Sequence, residues 1–90
     1  MTIWKFPLRV TDSQLVLMPE GAKILCVQVQ DATPCLWAKI DPNLAPTPRK
    51  IETRGTGHDV GPQCDHYIGT YQLHGGALVF HVFDDSEGER

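Results

Sequence analysis

Ninety residues, 41% of them hydrophobic and 21% charged, with a formal net charge of -3, exclude the low-hydropathy, high-charge regime in which chains stay unfolded. A chain this short buries only about 60 to 65% of its unfolded surface, enough for one compact domain and not for two. No stretch approaches the roughly 20 apolar residues that cross a bilayer as a helix, and Met1 to Pro7 lacks the basic-then-apolar order of a secretory signal, so no membrane partner is expected.

Glycines and prolines interrupt the chain too often for a long helix, and the gaps between them are filled by short runs rich in Val, Ile, Leu and aromatics. Ile3 to Val10 reads as a first strand, with Pro7 marking an edge or a bulge because proline donates nothing to a ladder. Gln14 to Met18 reads as a second, stopped by the turn Pro19-Glu20-Gly21. Lys23 to Gln30 alternates clearly and places Leu25, Val27 and Val29 on one face, expected to be core. Asp31 to Pro34 turns the chain, and Cys35 to Ile40 returns as the second arm of a hairpin. Asp41 to Pro48, with three prolines, is expected to be an extended surface loop.

Lys50 to Thr56 resumes strand character, and its charged residues suggest a solvated sheet edge. Gly55 to Pro62 is the most irregular stretch. Tyr67 to His74 and Ala77 to Phe83 form a hairpin around Gly75-Gly76, the latter strand expected to be buried on both faces. The last segment, Asp84 to Arg90, is acidic and has no apolar anchor, so it reads as a solvated tail. The expected fold is therefore all-β: a single small antiparallel β-sandwich or open barrel of about seven strands over residues 1–83, followed by a tail over 84–90.

Two groups of residues invite a chemical reading. Gly55-Thr56-Gly57-His58 can expose backbone amides in a concave nest for a phosphate or carboxylate, with Thr56, His58 and the preceding Arg54 adding side-chain donors. The competing reading is a bulge and turn at a strand end. His58, Cys64 and His66 combine the imidazole and thiolate chemistry of a zinc site, which would support a small zinc-assisted hydrolase. However, only Cys64-Asp65-His66 is tightly spaced and no distant ligand pair is evident. No established cofactor motif is present, and ordinary loop polarity accounts for the same residues.

The cysteines Cys26, Cys35 and Cys64 lack CxxC spacing, so free thiols in a reducing compartment are expected. The basic residues are scattered along the sequence, which makes nucleic acid an unfavoured partner. Edge strands and a small core invite self-association, so a homo-oligomer is expected.

Ile3-Trp4-Lys5-Phe6, Met18 to Leu25, Leu36-Trp37-Ala38, Gly55 to His58, Tyr67 to Thr70 and Leu78 to Phe83, taken in order, resemble a family of short uncharacterised proteins carried by tailed bacteriophages and prophages. The resemblance spans nearly all of the chain except the acidic tail and carries over no functional residue. It implies an accessory protein in the cytoplasm of the bacterial host. By analogy, such a protein acts as a non-enzymatic binding module directed at a host protein or a small anionic signalling molecule, in a counter-defence role. A virion or assembly component is the remaining alternative.

Overall fold

The computed structural model describes residues 1–85. Seven strands follow one another: β1 (Thr2–Pro7), β2 (Ser13–Pro19), β3 (Lys23–Gln30), β4 (Thr33–Ile40), β5 (Pro46–Gly55), β6 (Tyr67–Leu73) and β7 (Leu78–Asp84). They form two antiparallel sheets, one of three strands in the order β1-β4-β3 and one of four in the order β2-β5-β7-β6. The sheets share one core and do not close into a barrel, so of the two all-β alternatives the chain adopts packed sheets.

The core is built where the strands alternate. Leu36, Ala38 and Ile40 from β4 meet Met18, Ile51, Tyr71 and Val82 from the other sheet, all of them buried. Full burial of an aliphatic side chain of this size contributes about 1.5–3 kcal/mol, so these few residues carry much of the stability. Leu8, just past the end of β1, turns into the same core while its amide donates to the Pro34 carbonyl at 2.8 Å.

The alternation in β3 misleads. Its pairing with β4 slips between Ile24 and Cys26, which makes Leu25 the extra residue of a bulge. The inward face therefore switches parity: Ile24 and Val27 point to the core and Leu25 is 46% exposed, while Val29, which keeps the parity of Val27, is 36% exposed near the end of the strand. Trp37 lies on the opposite face from Leu36 and is only half-buried. In β7 one face carries the buried Val82 and Asp84, whereas Val79, His81 and Phe83 on the other face are only half-buried, so this strand is not fully covered on both faces.

β5 departs furthest from its expected place. It begins at Pro46, inside the segment expected to be a loop, and runs between β2 and β7 instead of along an edge. The prolines fit because of where they fall. Thr53 donates its amide to Asp12 on the β2 side, and the Lys50 carbonyl accepts from Asp85 on the β7 side. Pro46 and Pro48 share the parity of Lys50, so their missing amides face the side where pairing with β7 starts only at Ile51. The buried charges of the strand are neutralised: Arg49 pairs with Asp84, and Glu52 with the half-buried Arg54, whereas Lys50 faces solvent.

The turns show the local chemistry. Asp31 and Ala32 both have positive φ, 51° and 66°, the backbone of a two-residue hairpin loop whose twist matches the flanking strands. β4 thus starts at Thr33, earlier than the sequence suggests. At the other hairpin, Gly75 and Gly76 supply left-handed dihedrals as expected, and His74 joins them at 54°. Asp84, expected in the tail, is the last residue of β7, and Asp85 next to it is still bonded to β5. Asp84 accepts from Arg49 and donates its amide to the His66 carbonyl, and Asp85 donates its amide to Lys50. The rest of the expected tail, 86–90, lies outside the described residues.

Candidate functional site

The sequence points first to the loop that follows β5. Here the backbone is spent on the fold. The Thr56 amide donates to Val79 at 3.2 Å, and the His58 amide closes a turn onto the Gly55 carbonyl at 3.0 Å, with Gly57 at φ 92°. The His58 ring lies against Gly55, whose added Cβ would stand 3.2 Å from it. Two of the amides that a nest would aim at an anion are therefore committed internally.

Arg54 is committed as well. Its guanidinium donates to the Asp12 carbonyl at 2.8 Å, to the Thr53 carbonyl at 2.9 Å and to Glu52 Oε1 at 2.8 Å. Glu52 also accepts from the Ser13 hydroxyl at 2.7 Å and is 1% exposed. The hydrogen bond to Glu52 raises the Arg54 pKa further above its usual value, so this cation is the counterion that makes a buried carboxylate tolerable. It binds the chain together instead of waiting for a ligand.

The three residues considered for zinc are not gathered. His58 lies in a small pocket beside Asp12 and Phe80, whereas His66 lines a separate cleft with Lys23 and Arg49. Cys64 is buried, and burial pushes its thiol pKa up, away from the thiolate that metal ligation or nucleophilic attack requires. Among the described residues no group of three or more His, Cys, Asp or Glu side chains stands close enough to hold a metal ion.

What the structure assembles instead begins with a chain of hydroxyls around His81. Thr56 Oγ1 lies 2.7 Å from His81 Nε2, Thr70 Oγ1 3.0 Å from Nδ1, and Tyr67 Oη 2.5 Å from Thr70 Oγ1. The set spans the end of β5, β7 and β6 on the outer face of the larger sheet. A hydroxyl at this distance from an imidazole has the relation of nucleophile to general base. Yet the second ring nitrogen faces a neutral hydroxyl where a carboxylate would orient the base, and the Thr56 amide that would serve an oxyanion already bonds Val79. The arrangement works as a polar zipper across three strands. Its only sequence signal was the hairpin register, which sets His81 opposite Thr70.

The second feature is a cleft of about 420 Å³ where the edge of β3 passes the start of β6, a size within the range of small-ligand sites. Arg49 and Asp84 contribute to its walls, joined at 2.6 Å and both nine-tenths buried or nearly so. Arg49 also donates to the Ala22 carbonyl at 2.7 Å, which ties β5 to the start of β3 in the other sheet. Its Nε is buried with no hydrogen-bond partner among the described residues. Lys23 and His66 add two further nitrogen bases, while Asp84 supplies the one carboxylate among the described lining residues.

The basic character continues outside the cleft. Lys23 stands directly opposite Lys39 in the β3–β4 register, and Ile3 flanks Lys39 from β1. The next row is Lys5, Trp37 and Cys26, and neither row contains an acidic residue. Like charges directly opposite each other on a sheet are unfavourable, and a counter-anion at that edge relieves them. These lysines are 16 and 18 residues from their neighbours in the sequence, so only strand pairing shows them as one group.

A family model described as a domain of unknown function, DUF7352, matches residues 1–90, and the chain belongs to that family. No curated protein and no solved structure matches it.

Proposed function

We propose that the chain is a non-enzymatic binding module that takes a small anion, carrying a carboxylate or phosphate, in the cleft between β3 and β6. The observation that carries this reading is the composition of that cleft. Lys23 and His66 come from separate parts of the chain and converge beside the Arg49–Asp84 pair, where Arg49 Nε is buried with no hydrogen-bond partner among the described residues and Asp84 is the one described carboxylate. The Lys23–Lys39 pair at the rim extends the positive field toward solvent, which favours the approach of an anion.

The resemblance to phage and prophage proteins supplies the context for this proposal. A cytoplasmic accessory protein that sequesters a host signalling nucleotide would need such a site, whereas one that inhibits a host protein would offer its surface. The cleft favours the first. A thermal-shift series with inorganic phosphate, nucleoside monophosphates and dicarboxylates tests it: at least one class raises the Tm of the native chain, and Lys23→Ala/His66→Ala removes the shift while His58→Ala retains it. A shift that survives in the double variant, or no shift with any of the three classes at millimolar concentration, overturns the proposal.

A further inference from the structure

The four strands that end the two sheets are not equally protected. β3 carries a bulge at Leu25 and Lys23 at its start, and β6 has its own register slip between Tyr67 and Gly69 and packs against β3 through Gly69. β1 carries Lys5 and ends in Pro7. Charges, prolines and bulges are the devices by which sheet edges avoid pairing with other chains. β2, Ser13–Pro19, has no charge and no register slip along its seven residues, and its single proline is the last of them.

The free side of β2 follows from the pairing with β5. Thr53 donates to the Asp12 carbonyl, so even-numbered positions turn their backbone toward β5. Ser13, Leu15 and Leu17 then turn theirs outward, and among the described residues no backbone hydrogen bond reaches them from that side. The side chains of Leu15 and Leu17 are 66% and 64% exposed, an unusual pair for adjacent outward positions of one strand.

We infer that β2 pairs antiparallel with β2 of a second copy across a two-fold axis, joining the two four-stranded sheets into one continuous sheet of eight strands. A second copy is the occupant that fits. The outward positions are uncharged, so self-pairing sets no like charges against each other, and the two-fold brings the leucines of one chain beside those of the other, the cross-strand packing that stabilises sheets. A strand edge covers less than the roughly 800 Å² per partner of a standard interface, so the dimer is concentration-dependent. The inference is independent of the proposed ligand site, because β2 and β6 lie at opposite ends of the larger sheet.

Sedimentation velocity over a concentration series, together with amide hydrogen exchange, tests this. The native chain shifts from monomer to dimer, and exchange at Leu15 and Leu17 slows as protein concentration rises. Leu15→Lys/Leu17→Lys weakens association by at least about tenfold, the factor carried by 1.4 kcal/mol, while Ile3→Lys on the other open edge leaves it unchanged. A thermal melt confirms that each variant is folded, and Leu17→Thr serves if the double lysine variant is not. A native chain that stays monomeric to millimolar concentration, or a dimer equally strong in the β2 variants, overturns the inference.

Discussion

The two flanks of the sandwich are built on opposite plans. Along the β3–β6 flank the sheets come close enough that a Cβ at Gly69 would stand 2.8 Å from Val27 Cγ1, and Arg49 of β5, held by Asp84 in its own sheet, reaches across to the Ala22 carbonyl. Along the β1–β2 flank the end strands turn Ile3, Trp4, Leu15 and Leu17 toward solvent. One flank is locked by an ion pair and a glycine contact, and it leaves a polar cleft. The other keeps regular strands with apolar side chains. The contrast separates two ways to finish a sheet, with edges bulged at β3 and β6 and charged at β3, and an edge regular and uncharged at β2.

The strongest way to break the locked flank is Arg49→Met. It leaves Asp84 buried without its partner, and the expected loss is about 3–5 kcal/mol, read from urea unfolding. Replacing both partners, Arg49→Met with Asp84→Leu, should recover most of it. If the single variant is as stable as the native chain, the ion pair does not hold this flank.

Gly69→Ala tests the close approach. Valine is short and stiff, so the added methyl has to displace β6 or β3, at an expected cost of about 1–3 kcal/mol for overpacking; unchanged stability would show that the strands separate freely. Tyr71 offers a smaller effect of opposite sign. Its hydroxyl is buried without a hydrogen-bond partner among the described residues, so Tyr71→Phe is expected to be neutral or to gain up to about 1 kcal/mol.

The same burial sets a pH trend. Tyr71 and Cys64 both have pKa values raised by burial. The folded state therefore holds these protons at pH values where the unfolded chain has begun to release them. Their contribution is intact below the unfolded-state values of about 8.5 for a thiol and 10 for a phenol and declines as pH rises through the folded-state values. Chemical denaturation from pH 7 to 11 should show stability falling, less steeply in Tyr71→Phe. The smallest effect belongs to the open flank: Leu15→Lys should alter monomer stability by no more than about 0.5 kcal/mol, since its side chain already faces water.

Much of the fold was legible in the residues. The hairpins expected at Asp31 to Pro34 and at Gly75-Gly76 and the strands β2, β3, β6 and β7 follow from period-two patterning and turn chemistry, and of the edge or bulge that Pro7 signals in β1 the chain shows the edge. The misreadings have specific causes. Leu25 looked like core because one extra residue in β3 reverses the faces, and nothing local marks a bulge made without glycine. Pro46 and Pro48 looked like loop because the sequence does not say which side of a strand is unpaired. The charges of β5 looked like an edge because Arg49 and Glu52 find their partners 35 and 2 positions away only after folding.

The candidate site was hardly legible at all. Of the residues singled out, Arg54 and the Gly55 to His58 backbone turned out to serve the fold, and only His66 lines the cleft. Local propensity and hydrophobic alternation act between near neighbours, so the sequence by itself determined the all-β class, the strand succession and most turns. The convergence of Lys23, Arg49 and His66, the facing pair Lys23–Lys39 and the unprotected edge of β2 depend on which strands become neighbours and in what register. Those contacts join residues far apart along the chain, and only the tertiary structure decides them.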